Sequence, residues 1–378
     1  KKLQKMINTH HPIAKNKLAD RLCGWLMGLP IFAELSGAGI KLPENHYLMD
    51  GIPLHSSMFA LALLMFSHKF TKLQLVLTLL FIIYFITCFF QDFSRSILAI
   101  QSIYFLAFYF ILRSLPLNRI ETIAVSALKA LMAFVILHFL SILFFAEGSV
   151  GSLFLNTTKF WNIYTIYQSH LTYPLVLIMG LWILNYSKSS FPNYQRLFFM
   201  IVAAIIIILL LRRTAFAIFL IFFMCYRPKT FLILSPIFIS ALVFILSGIS
   251  DFTRLTNLER VATWSDSINI IMDLNSFILG NGLNNYSHNY FLHTLTTHGI
   301  IYSSVIFCAL LLILLNFAQR VNYSVQPIIL LFAFIIIDWN VNANLYQPYY
   351  AGMFALTLII ISSRFSIKDA PIKNSISS

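Results

Sequence analysis

Apolar runs of about 15 to 25 residues, cut by short polar punctuation, recur along the whole 378-residue chain. Each run matches the length a helix needs to cross ~30 Å of hydrocarbon at ~1.5 Å per residue. A soluble domain carries ~25% charged residues, whereas this chain has 10% charged and 59% hydrophobic residues. Its mean hydropathy is +0.82. A transmembrane barrel is excluded as well, because it is built from ~10-residue alternating strands. The expected fold is therefore an all-α integral membrane protein, a single polytopic domain over 1–378.

Candidate spans fall near 22–39, 54–68, 74–91, 97–112, 120–146, 170–186, 197–211, 214–226, 230–249, 299–316, 326–341 and 347–363, about twelve in all. The parity of the count turns on 197–226, an apolar stretch interrupted only by Arg212 and Arg213. Cytoplasmic loops are enriched in Lys and Arg. With a break at the arginine pair, 18 of the 26 Lys and Arg fall on one side and 7 on the other, with Lys129 inside a span. Without it the split is 14 to 9, and Lys129, Arg212 and Arg213 stay in lipid. Two short helices meeting at the outer face are thus expected, with both termini cytoplasmic. The basic N-terminus (1–21) has no short apolar core followed by a small-residue cleavage site, and reads as a retained tail. The segment from Ser362, including 364–378, reads as a polar, basic tail.

The net charge of +13 does not indicate a nucleic-acid partner, since the cations lie between spans and not on one aromatic-interleaved face. The 37 Phe and 17 Tyr are likewise spread along the chain. Cys23, Cys88, Cys225 and Cys308 form no CxxC pair, so neither a disulfide framework nor a zinc site is indicated.

The long outer loop, 250–298, is where function is expected, because loops of that length are uncommon in an economical chain. Its first part, ERVATWSDSINIIM, places Val261, Trp264, Ile268 and Ile271 at helical steps, an amphipathic helix lying on the membrane or on the bundle. Arg260 sits in its first turn, where it either pairs with Glu259 or binds an anion. Gly280, Asn281 and Gly282 then form a permissive turn. Ser287 is the expected cap of a short helix beginning at His288 or Asn289 and broken near Gly299. His288, His293 and His298 are five apart, so successive rings diverge by ~140° on a helix and no zinc-binding face results. His288 differs in lying at the helix start. Arg212 and Arg213 either snorkel to the outer water or bind a diphosphate, whose oxygens suit the guanidinium fork. His170, followed by Tyr173 and Pro174, is a cap, an interfacial anchor or part of the outer cavity. Glu34, Lys129, His138, Asp338 and Asn340 are polar groups within runs, and either stabilise the bundle or mark a pathway.

LLLRRTAFAIF, ERVATW, LGNGLNN and SHNYFLHTLTTHGII together resemble the O-antigen ligase and O-antigen polymerase superfamily, bacterial inner-membrane glycosyltransferases of the GT-C type. The resemblance covers about residues 197–316. It departs from the family pattern at Thr297, where an acidic residue is frequent, at Tyr302, where a second glycine is frequent, and at Arg212, which replaces a small residue. It implies a donor glycan on undecaprenyl diphosphate and, as acceptor, either lipid A-core (a ligase) or another lipid-linked repeat (a polymerase). It further implies diphosphate binding by Arg213 and Arg260 with Arg212, a general base in His288, and support from Asn289, Gly280, Gly282, Trp264 and His170, with no metal or cofactor. One dominant outer loop leans towards the ligase. The rival class is a lipid-glycan flippase or other transporter, which would show repeated halves or a polar midplane pathway.

Overall fold

The computed structural model describes residues 17–29, 32–34, 53–67, 79, 82–84, 86–87, 93–145, 169–186, 191–209, 213–229, 231–233, 235–236, 239–240, 250–281, 289–339, 345 and 347–368. They form a helical bundle with one small two-stranded ribbon. Helix α1 covers 17–28. It is followed by β1 (Phe32–Glu34) and β2 (Pro53–His55), paired antiparallel with Ala33 opposite Leu54. The helices α2 (Ser56–Ser67), α3 (Phe93–Ser114), α4 (Leu117–Phe145), α5 (Ser169–Tyr186), α6 (Asn193–Leu209) and α7 (Arg213–Tyr226) come next. After them lie α8 (Ser250–Met272), α9 (Leu274–Leu279), α10 (Tyr290–Arg320), α11 (Val325–Ala333), a π-helical turn (Phe334–Trp339) and α12 (Pro348–Lys368).

Several expectations are corrected. The run 22–39 is not one helix: α1 stops before Pro30, which has no amide to donate and disfavours helix in the residue before it, and Phe32–Glu34 is extended. The run 326–341 changes from α to π winding at Phe334. The chain from Ser362 is not a loose tail, since α12 continues to Lys368. There Arg364 pairs with Glu121 at 2.6 Å and Phe365 packs on Tyr186. The segments 74–91 and 230–249 fall mostly outside the described residues.

One helix ends at Leu209 and the next begins at Arg213, with Arg212 outside the described residues. The start of α6 and the end of α7 line one cleft, so the two run antiparallel, with Leu209 and Arg213 at the other end of the pair. Side-chain contacts gather the opposite ends of the bundle in the same way. Asn316 accepts from Arg113 at 2.6 Å and from Arg320 at 2.9 Å. Arg119 holds Asp20 at 2.7 Å, and Tyr186 touches Tyr226. One end of the molecule therefore collects Arg113, Arg119, Arg196, Arg227, Arg320 and Arg364.

At the centre lie α5 and α12, buried all round: every residue from Thr172 to Leu184 and from Pro348 to Ser362 is enclosed. A helix apolar on all sides belongs in such a place. α12 is wrapped by α2, α3, α4, α5 and α10. α1 reaches α4 through Gly24 and Gly28, four residues apart; a Cβ at Gly28 would collide with the Ala127 carbonyl. Small residues at this spacing let membrane helices approach backbone to backbone.

α10 has two apolar faces. Ser303, Ile306, Leu310, Ile313 and Phe317 are buried, while Ile301, Val305 and Leu312 on the other face are 65%, 61% and 66% exposed. An exposed apolar stripe of this kind is costly in water and natural in lipid. Among the described residues, Leu117–Leu140 and Tyr290–Arg320 are long and apolar enough to cross a membrane, and the other apolar helices are shorter.

Candidate functional site

The loop expected at 250–298 is mostly helical. α8 begins nine residues earlier than ERVATW and carries Arg260 in its interior. Consecutive helical positions diverge by ~100°, so positions 259 and 260 lie on different register faces, and the side chains of both lie outside the described residues. Arg260 shares its register face with Trp264, Ser267 and Ile271. That is the face turned to the bundle, for Ser267 is fully buried while Trp264 and Ile271 are half-buried. Of the stripe expected to lie on the membrane or on the bundle, Val261 and Ile268 are exposed, while Trp264 and Ile271 are half-buried. α8 packs on α9 and α10, with Val261 and Ile268 on its outward side.

Asp273 then caps α9, accepting from the Ser276 amide at 2.9 Å and the Ser276 hydroxyl at 2.7 Å. These two bonds hold its carboxyl below the ordinary range. α9 ends at Gly280, whose φ of 78° is open to glycine and strained for other residues. Gly280 lies directly against Gly299, where α10 is interrupted at φ 75°. A Cβ on Gly280 would strike the Thr297 carbonyl and one on Gly299 the Ile278 carbonyl. The Asn281 amide completes the clasp by donating to the Thr296 carbonyl at 2.7 Å. α8, α9 and the first segment of α10 thus form one backbone-locked unit.

That segment is capped by Asn289, not by the expected Ser287. The Asn289 side-chain oxygen accepts from the amides of Phe291 and Leu292 at 2.9 and 3.0 Å, and the residue is 8% exposed. The break at Gly299 occurs where the sequence pattern put it. His288, Ser287, Gly282 and Arg212 lie outside the described residues. Arg213 opens α7 and His170 falls in the first turn of α5; their side chains, like that of Arg260, are outside the described set. α7 packs chiefly on α5, α11 and the π-helical turn, so the helix of Arg213 is not brought against that of Arg260 by the principal interfaces.

Two donors face the unit without partners among the described residues: the Trp264 indole N–H, one turn beyond Arg260, and the Thr297 hydroxyl beside the glycine clasp. Both suit an oxygen-rich ligand. Among the described residues no three His, Cys, Asp or Glu side chains converge.

Sequence reasoning passed over His298, taken only as one member of a non-converging trio. It is buried, and its Nδ1 pairs with the Tyr84 hydroxyl at 2.9 Å. The Tyr84 ring stacks on Tyr302 at 4.4 Å. The Tyr302 hydroxyl bonds the Ser102 hydroxyl at 2.8 Å, and Tyr290 donates to the Ser102 carbonyl at 3.2 Å. This polar network fastens the first part of α10 to α3. Tyr302, a departure from the family pattern as a bulky residue in place of a glycine, is the one local signal that pointed to it.

The chain matches no protein-family model, and no curated protein matches it significantly.

Proposed function

We propose that the chain is a multi-pass glycosyltransferase of the bacterial inner membrane, of O-antigen ligase type. It takes a glycan from undecaprenyl diphosphate and joins it to lipid A-core. The reading sets the arginine-rich end of the bundle in the cytoplasm, in keeping with the excess of cations in inner loops, with about twelve spans and both termini inside. The start of α10 then belongs to the periplasmic side. What supports the reading is the unit of α8, α9 and α10, in which the Gly280–Gly299 contact joins the helix capped by Asn289 to the segment that follows the helix carrying Arg260 and Trp264.

In the reaction His288 accepts the proton of an acceptor sugar hydroxyl. The hydroxyl oxygen attacks the anomeric carbon, the bond from that carbon to the diphosphate oxygen breaks, and configuration inverts. The departing diphosphate keeps the bonding electron pair, and Arg213 and Arg260, with Arg212, balance its charge. An imidazole suits the base because it titrates near neutrality.

The test replaces His288 by Ala in cells lacking the native gene, with insertion checked, and separates lipopolysaccharide by size. Loss of a general base costs ~10²–10⁴-fold in rate, so bare core with accumulating lipid-linked polymer is expected. Core carrying a single repeat would reassign the chain as a polymerase. An unchanged ladder would remove His288, and with it the case for glycosyl transfer. One observation favours the rival class: Asp338 is fully buried in the π-helical turn and bonded to Tyr350, as a proton-coupled pathway would require. Glycan movement across vesicles without bond formation would establish transport.

A further inference from the structure

At the end of the bundle opposite Asn289, α5, α6 and α7 leave a cleft of about 400 Å³. Its polar lining is Arg196, Arg227, Asn185 and Asn193, with Leu197 and Phe222 among the apolar walls and no carboxylate among the lining residues. Arg196 is half-buried and Arg227 exposed. Asn193 is the first residue of α6, a 17-residue helix whose positive dipole end therefore lies at the rim. Two independent features set the depth of this cleft. Trp182 donates to the Tyr226 hydroxyl at 2.9 Å and Tyr186 meets the same oxygen at 3.2 Å, an aromatic group with polar tips of the sort that marks the headgroup level. Below it the outer surface of α6 continues as exposed Leu197, Phe198 and Ile201, and α7 exposes Met224.

We infer that this cleft binds an anionic phospholipid of the adjoining leaflet, with the headgroup phosphate between Arg196 and Arg227 and an acyl chain along Leu197 and Ile201. Two guanidinium groups, two side-chain amides and a helix start offer only positive charge and hydrogen-bond donors and acceptors, and basic pockets between helices suit phosphate headgroups. The continuous apolar face supplies what a soluble phosphate ester would not use. The inference rests on the membrane reading alone and is indifferent to what the opposite end catalyses.

The experiment uses the full chain in detergent and counts retained phosphatidylglycerol against phosphatidylcholine by native mass spectrometry. Wild type should hold phosphatidylglycerol preferentially. At about fivefold per arginine, R196Q/R227Q should weaken it on the order of thirtyfold, and R320Q, at the same end but outside the cleft, should leave it intact. Should the double variant fail to fold, R227Q alone, at an exposed position, should give the single-arginine loss. An equal loss in R320Q would mean a diffuse surface field and overturn the site. Displacement by glycerol 3-phosphate at equal concentration would identify a soluble phosphate ligand and overturn the lipid assignment.

Discussion

Asn289 and Gly299 delimit the first segment of α10, and each does so through chemistry that one substitution removes. The cap answers two otherwise unpaired amides, so Asn289→Ala should cost about 1 kcal/mol while Asn289→Asp keeps the acceptor. Thermal unfolding of both variants measures this. If the segment positions His288, transfer should fall further for Ala than for Asp at equal protein level, whereas equal activity would show the cap to be structural only. Gly299→Ala meets a double penalty: a positive φ and a Cβ driven into the Ile278 carbonyl. Backbone cannot yield there as a side chain would, and a loss of about 2 kcal/mol or more is expected, read as a lowered unfolding temperature. Gly299 was legible in the sequence because a glycine inside a helical pattern is a local signal, whereas the pattern places the cap at Ser287, two residues early, since serine and asparagine compete for the same role. The His298 to Tyr84 bond was not legible, since its partners are 214 residues apart.

Among the elements, α9 shows how little holds a short helix. Its cap Asp273 has a depressed carboxyl pKa, so the ionised cap's contribution is complete above the unfolded value of ~3.9 and is lost as pH falls through the folded value. Amide protection in α9 should therefore fall on acidification below that range while the protection of α10 is retained. Asp273→Asn should flatten the dependence, and a persistent acid dependence in that variant would shift the cause elsewhere. The amphipathic pattern of α8 announced a helix but left open whether its apolar stripe meets the membrane or the bundle. Hydrophobic periodicity tells which residues avoid water; it does not tell whether they turn to lipid or to protein. The same ambiguity hid the central position of α5 and α12, whose runs read like those of the peripheral helices.

For the whole molecule, the outward stripe of α10 separates the membrane reading from a soluble one. Cys308 lies on it, exposed, between Val305 and Leu312. In intact membranes a lipid-soluble maleimide should label Cys308, with C308S as the blank, and a charged maleimide should not; efficient labelling by the charged reagent would place this stripe in water. Val305→Asp should lower insertion by about 2.5 to 3.5 kcal/mol at mid-helix depth. α12 adds a consequence of another kind. The ribosome delivers it only after α2, α3, α4, α5 and α10, the helices that enclose it. On the membrane reading those five wait in the bilayer around a vacant central berth and part to admit it, so the half-made protein is a loose palisade. A ribosome stalled before Pro348 would leave that palisade open for surveillance proteases to find.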